Sequence, residues 1–98
     1  MEEEYKEQLN LVNAQEMARE HPNTFRVPSE EEVLDFIEAG DYVKLCVDEE
    51  KFWVKVTQVS VDNLKGTVDS QLINTPRDVG DEIEFHKDNI FEVRKTRN

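Results

Sequence analysis

Residues 52–68, FWVKVTQVSVDNLKGTV, contain the pattern that decides the fold. Apolar and polar residues alternate up to Val56, and beyond Thr57 the apolar positions shift by one residue. Alternation with a single slip is typical of a long β-strand that a β-bulge bends. Asp62 and Asn63 then favour a tight turn, because Asn tolerates the positive φ that hairpin turns require. The stretch therefore predicts a β-hairpin with a bent first strand.

A Gly-Asp pair stands on each side of this hairpin, and each pair opens another alternating segment. Gly40-Asp41 leads into YVKLCV, and Gly80-Asp81 leads into EIEF. A further short apolar run follows at residues 90–93. Five or six short strands joined by tight turns predict a small SH3-like antiparallel β-barrel.

The chain ahead of these strands carries helical signals. Residues 2–20 contain no Pro or Gly, begin with three glutamates and place a basic residue near the end, an order that suits the helix dipole. Ser29 with Glu32 three residues later forms a capping box, and Gly40 offers a left-handed residue that ends a helix. The sequence therefore predicts helices over residues 2–20 and 30–39.

The length of the chain bounds its organisation. With 98 residues it has the size of one domain with one modest core. We expect a single domain over residues 1–98, with a helical segment at 1–40 and a β-barrel at 41–94. The expected fold class is α+β, a small SH3-like antiparallel β-barrel preceded by one or two N-terminal helices.

Charge is distributed unevenly along the chain. The formal net charge is −11, and residues 1–50 contain 15 of the 23 acidic side chains but only 4 of the 12 basic ones. Because neither half of the chain is net basic, nucleic acid and anionic membranes are not expected partners. The acidity favours either plain solubility or an acidic surface that attracts a basic protein.

Cysteine content and hydropathy indicate the compartment. Cys46 is the single cysteine, so an internal disulfide is excluded. No apolar N-terminal run has the form of a secretion signal, and no apolar run is long enough to span a membrane. We therefore expect a cytoplasmic protein.

The strand motifs taken together resemble a known family. The succession GDYVKLCV, KFWVKVTQV, LKGTVDSQLINT and VGDEIEFHKDNIFEV is similar to a family of small bacterial cytosolic proteins classed as a domain of unknown function, with an RFWV-like strand and a GD-x-(I/V)-x-F closing motif. The lead-in NAQEMAREHPNTFRVPSEEEV is also similar, so the resemblance covers residues 10–93. Lys51 stands where many members have Arg. The resemblance implies an SH3-like fold and a bacterial cytosolic origin, and it implies no catalytic residue.

The sequence contains no catalytic or metal-binding motif. Cys46, His21 and His86 are isolated, without CxxC, HxxH or HExxH spacing, so neither a metal nor a cofactor is expected. A catalytic thiolate at Cys46 requires a histidine partner, for which His86 is the candidate. The three glycines lie apart, so no phosphate-binding loop is expected either. We expect that the protein is not an enzyme.

Trp53 departs from the pattern of a buried core. In the predicted register it points outward with Lys55, and Tyr42 on the neighbouring strand shares that face. An outward tryptophan on a barrel strand is a candidate platform for a peptide. The alternative is that the N-terminal helices cover this face. Trp53, Tyr42 and Lys55 are therefore the candidate binding residues.

Three functions are compatible with these observations, and we order them by preference. The first is a non-enzymatic binding or adaptor module that recognises another protein or a peptide. The second is an immunity-type or inhibitory protein whose acidic half masks a basic partner through Glu30, Glu31, Glu32 and Asp35. The third is a small hydrolase or thiol enzyme.

Overall fold

Residues 9–24, 37–61 and 63–95 are the part of the chain that the computed structural model describes. Within this part the chain forms one α-helix, one short 3-10 helix and five β-strands, which together make a small α+β domain. The α-helix, α1, spans Ala14–Glu20, and the 3-10 helix spans Lys87–Asn89. The strands are β1 (Tyr42–Val47), β2 (Glu50–Val59), β3 (Leu64–Val68), β4 (Glu82–Phe85) and β5 (Glu92–Arg94).

The five strands form one antiparallel sheet in the order β4-β3-β2-β1-β5. The first four strands are neighbours in chain order, and β5 returns to pair with β1, so that Arg94 lies opposite Tyr42. Among the described strands β4 and β5 are the two edges, so the sheet is open. The predicted α+β class with an antiparallel sheet is confirmed, but these strands do not close into the predicted barrel.

A Gly-Asp turn fixes the start of β1. The Asp41 carboxylate accepts a hydrogen bond from the Glu38 N–H (2.9 Å), and the Asp41 N–H donates to the Glu38 carbonyl (3.1 Å). The Gly40 N–H donates to the Val56 carbonyl, and the Val56 N–H donates to the Asp41 carbonyl, both at 2.8 Å. Gly40 has a φ of 103°, a backbone conformation that residues with a side chain rarely adopt.

A second Gly-Asp turn fixes the start of β4 with the same set of hydrogen bonds. The Asp81 carboxylate accepts from the Asp78 N–H (2.9 Å), and the Asp81 N–H donates to the Asp78 carbonyl (3.0 Å). The Gly80 N–H donates to the Val68 carbonyl (2.8 Å), and the Val68 N–H donates to the Asp81 carbonyl (2.9 Å). The φ of Gly80 is 97°. Two copies of one turn therefore attach β1 to β2 and β4 to β3.

The bulge predicted in the long strand is confirmed. Val56 lies opposite Gly66, whereas the next aligned pair is Gln58 with Lys65, so β2 has one extra residue at Thr57. Gly66 is required at this point of the sheet. A β-carbon on it would lie 2.5 Å from a methyl group of Val54 and 2.6 Å from the Lys55 carbonyl oxygen.

The first helix is shorter than predicted. The sequence predicts a helix over residues 2–20, but α1 begins at Ala14. The prediction is therefore wrong for residues 9–13. The Asn13 side chain accepts a hydrogen bond from the Glu16 N–H (2.9 Å) and caps the helix. Asn favours such a cap over a helix interior, because its short amide competes for backbone hydrogen bonds. Residues 2–8 lie outside the described residues.

The chain just before α1 adds to the sheet. Leu11 forms an antiparallel bridge with Val47, and the Val12 N–H donates to the Cys46 carbonyl (2.9 Å). These residues lie along β1 beyond the part that pairs with β5. Leu11 and Val12 therefore pair with β1 and are not part of the helix that the sequence predicts over residues 2–20.

The second predicted helix, over residues 30–39, falls mostly within residues 25–36, which lie outside the described residues. The prediction is wrong for residues 37–39, which are not helical and lead into the turn before β1. The positive φ of Gly40 therefore begins a strand and does not end a helix. Of the helical segment predicted over residues 1–40, the described residues contain α1 alone.

The core lies on one face of the sheet and is filled by the residues that alternation predicts. Val59 and Val61, the apolar positions after the slip, are exceptions, with 43% and 95% of their surface exposed. A smaller cluster of Ala14, Cys46 and Phe91 joins α1 to the other face. The main core consists of Ile37, Val43, Leu45, Phe52, Val54, Val56, Leu64, Val68, Ile83, Phe85 and Ile90.

We expect Gly66→Ala to lower the free energy of unfolding by about 1–3 kcal/mol, since the added methyl group overpacks a site bounded by backbone. Gly80→Ala is the matched control, because a β-carbon there meets no atom within 4 Å and only the positive φ is disfavoured. Its cost should be about 1 kcal/mol. Urea unfolding of the three proteins measures both values. A Gly66→Ala protein as stable as the parent would contradict the packing described here.

Candidate functional site

The three candidate binding residues lie together on the face of the sheet opposite the main core. Tyr42 on β1 is opposite Lys55 on β2, and Lys44 is opposite Trp53. Side chains alternate between the two faces of a strand, so these four share one face. The flanking residues Val43 and Val54 point to the core. We call Tyr42, Lys44, Trp53, Lys55 and Arg94 the Trp53 face.

Two cationic side chains contact the Trp53 ring. Lys44 Nζ lies 5.1 Å from the ring centroid, and Arg94 Cζ lies 4.9 Å from it. Arg94 belongs to β5, which is separated from β2 by β1, so the two side chains lean towards each other across β1. A cation at this distance is attracted by the negative face of the indole ring. Trp53 is half-buried, and it belongs to neither of the two core clusters of the described residues.

The backbone of Trp53 is held on both sides. Its N–H donates to the Ser70 hydroxyl (2.9 Å), and its carbonyl accepts from the Asp69 N–H (2.8 Å). Both acceptor and donor lie just beyond the end of β3. The ring therefore projects from a fixed strand and not from a loop.

The charged groups of the Trp53 face are only partly paired. Lys44 Nζ forms an ion pair with the Glu92 carboxylate at 3.1 Å. In the described part of the chain no acidic side chain pairs with Arg94 or with Lys55. The cationic ends of Arg94 and Lys55 thus remain available to an external group.

Helix α1 covers a different part of the same face. It packs with Cys46 and Phe91 through Ala14, near the β1–β2 turn. Lys51 Nζ lies 5.5 Å above the Phe91 ring in this area. The first of the two helices that were predicted to cover this face, α1, therefore packs on Cys46. The Trp53 ring is contacted by the cations of Lys44 and Arg94. The other predicted helix and the residues Glu30, Glu31, Glu32 and Asp35 of the inhibitor hypothesis lie outside the described residues.

The Cys46 thiol is in an environment that keeps its proton. It is buried, and its Sγ donates a hydrogen bond to the Asp48 carbonyl (3.1 Å). Burial raises the pKa of the Cys46 thiol; nearby Lys51 opposes the rise, and Asp48 and Glu49 add to it. His86 is exposed, and its backbone N–H is bound by the Asn89 side chain at the start of the 3-10 helix. The surroundings of Cys46 therefore disfavour the thiolate form that a nucleophilic cysteine requires.

Glu50 is a structural residue that sequence reasoning missed. Its carboxylate accepts four hydrogen bonds from the loop after β3: from the N–H groups of Ile73 (2.6 Å), Asn74 (3.0 Å) and Thr75 (2.8 Å), and from the Thr75 hydroxyl (2.7 Å). These hydrogen bonds lower the pKa of the Glu50 carboxyl. No sequence spacing signals a contact between residues 23 to 25 positions apart.

The loop that Glu50 holds borders an open groove of about 910 Å³. The groove is lined by residues 47–51 and 73–75. Ile73 is 86% exposed, so the loop presents an apolar side chain to solvent while its backbone is fixed. The groove lies at the β1–β2 turn and does not include Trp53, Tyr42 or Lys55.

The described residues contain neither a group of metal ligands nor a membrane-spanning helix. Across residues 9–24, 37–61 and 63–95, no three His, Cys, Asp or Glu side chains are grouped so that they could hold a metal ion. No helix in the described part of the chain is long and apolar enough to cross a membrane. Comparisons of the chain with protein-family models, with curated proteins and with solved structures gave no significant match.

We expect Glu50→Gln to lower the melting temperature at neutral pH, because an amide cannot accept the four hydrogen bonds that the carboxylate accepts. The pKa of Glu50 is lowered in the folded state, so its stabilising effect is present above the unfolded pKa of about 4.3 and is lost as the pH falls through the folded pKa. The difference between the parent and the variant should therefore shrink in acid. Thermal unfolding followed by circular dichroism measures it.

Glu49→Gln is the matched control for this experiment, because Glu49 is the exposed neighbour of Glu50 and carries the same charge. It should leave the melting temperature nearly unchanged. Equal losses in the two variants, or a loss for Glu50→Gln that does not depend on pH, would contradict the assigned role.

Proposed function

We propose that the protein is a non-enzymatic binding module whose Trp53 face holds an extended segment of another protein. The observation that carries the proposal is the geometry of Trp53, whose ring is fixed on a strand, contacted by Lys44 and Arg94, and only half-buried. Tyr42 and Lys55 extend the same face on adjacent strands.

The composition of this face suits recognition. Trp, Tyr and Arg are the residue types that contribute most to the free energy of binding at protein interfaces. Their aromatic rings supply large contact areas with few rotatable bonds, so ordering them on binding costs little entropy. Because the residues stand on paired strands, the face exists before a partner arrives.

The environment of Cys46 supports the non-enzymatic part of the proposal. The buried thiol donates a hydrogen bond to a backbone carbonyl, and its pKa is raised, so it is a poor nucleophile. The hydrolase or thiol-enzyme alternative therefore has no activated group at the one cysteine. Cys46 instead packs against Ala14 of α1.

We also propose that the open sheet belongs to the SH3-like class and that the protein acts in a bacterial cytoplasm, in line with the resemblance of its motifs. Support for the fold comes from the return of β5 to β1, from the bent strand β2 and from the short 3-10 helix between β4 and β5. Small β-domains with aromatic surfaces hold extended peptides, an analogy at the level of the fold.

Selection of short Trp-free peptides on the immobilised protein tests the proposal. We expect binders whose affinity falls about tenfold or more with Trp53→Ala, since an interface tryptophan is typically worth at least that factor. The affinity should fall less with Trp53→Phe, which retains an aromatic ring. Circular dichroism of each variant establishes that it is folded.

Ile73→Ala is the matched control, because it removes an exposed apolar side chain from the groove and not from the Trp53 face. It should not change the affinity. Selected peptides that bind Trp53→Ala as well as the parent, or that depend on Ile73, would overturn the proposal.

A further inference from the structure

We infer that the partner segment is acidic, and that its carboxylates bind Arg94 and Lys55 on either side of Tyr42. The inference rests on the proposed function and specifies its ligand. Charge, free hydrogen-bond donors and strand spacing support it independently of one another.

The Trp53 face is much less acidic than the protein as a whole. The chain has a formal net charge of −11. The face contains three cations, Lys44, Lys55 and Arg94. The neighbouring carboxylates are Glu92, opposite Lys44, Asp69, beside Trp53, and Glu82, which is paired with Thr67 next to Lys55. Three cations and three carboxylates balance, so the face is neutral. An anionic ligand is therefore repelled less here than by the remaining surface, and Arg94 and Lys55, which are unpaired within the described residues, attract it locally.

Arg94 is prepared to bind a carboxylate. Glu92, two residues before it, is already paired with Lys44. The contact recorded for the Arg94 guanidinium is the Trp53 ring, at 4.9 Å from Cζ to the centroid. A planar guanidinium held against an aromatic ring keeps its N–H edges directed outward, and those edges match the two oxygens of a carboxylate.

The spacing of the two cations fits an extended peptide. Arg94 and Lys55 both lie opposite Tyr42, on strands at its two sides. Two strand spacings place their Cα atoms about 10 Å apart, and same-side residues of an extended peptide are about 6.8 Å apart. The long side chains of Arg and Lys span this difference. A peptide with acidic residues at alternate positions would therefore reach both cations while its backbone crosses Tyr42.

The experiment uses three labelled Trp-free peptides of equal length, in which alternate positions are Glu, Gln or Lys. Fluorescence anisotropy with the full chain measures their affinities. We expect the Glu peptide to bind at least about tenfold more tightly than the Gln peptide, and its affinity to fall steeply as salt is added. Arg94→Gln should weaken it about tenfold, and Arg94→Lys less, because the charge remains.

Arg77→Gln is the matched control, because it removes the same charge from the loop between β3 and β4, and it should leave the affinity unchanged. Equal, salt-independent binding of the Glu and Gln peptides, lost with Trp53→Ala, would overturn this inference and leave the proposed function standing. Preference for the Lys peptide would also overturn it and favour the inhibitor hypothesis. Binding of none of the peptides would overturn the inference, and failure of the peptide selection as well would overturn the proposed function.

Discussion

Two backbone positions on the central strands, Val56 and Val68, hold the rest of the sheet in place. Each exchanges a pair of hydrogen bonds with a Gly-Asp turn, and each turn is closed by its own aspartate carboxylate. The glycines have nearly the same positive φ, 103° and 97°. Because β2 and β3 are antiparallel, the two turns attach β1 and β4 at equivalent places on opposite sides of the hairpin. The Gly-Asp pairs seen in the sequence are thus two copies of one structural device.

The two turns differ in their surroundings. Asp41 is buried, with 3% of its surface exposed, and its carboxylate also pairs with Lys95 Nζ at 2.7 Å. Asp81 is half-buried. A buried carboxylate that accepts hydrogen bonds and has a cationic partner is costly to disrupt, because losing one partner leaves a desolvated charge. Lys95 follows β5, so this ion pair also ties the end of the described chain to the start of β1.

This arrangement is compatible with the binding role that we propose for the Trp53 face. The core side chains and the two turns fix the strands, so the opposite face contributes little to holding them together. Exposed ion pairs such as Lys44–Glu92 contribute about 0–1 kcal/mol, and exposed cation–π contacts about 0.5–1 kcal/mol. Stability alone therefore gives weak reason for two cations against one tryptophan in an acidic protein. The recognition of an anionic segment that we propose gives a stronger one.

Local periodicity predicted much of the fold and part of the site. The bulge near Thr57, the inward residues of β1, β2 and β4, and the shared face of Tyr42, Trp53 and Lys55 all follow from alternation along one strand or between neighbours. The prediction of a helix over residues 9–13 was wrong, because Asn13 caps the N-terminus of α1 and Leu11 pairs with β1.

Contacts between distant residues were beyond the reach of local patterns. Glu50 binds a loop more than 20 positions away, and Arg94 meets Trp53 across an intervening strand. Both contacts depend on how the strands are ordered in the sheet, which periodicity does not specify. The same reason applies to closure of the barrel, since it depends on whether β4 and β5 meet.

The central claim is that the two Gly-Asp turns hold the sheet and thereby fix the Trp53 face before a partner binds. Native-state hydrogen exchange of the Val56 and Val68 amides tests this claim most directly. We predict that both amides exchange only through global unfolding, with equal free energies of opening that match the value from urea unfolding. Exchange of either amide through local opening, at a free energy well below the global value, would contradict the account.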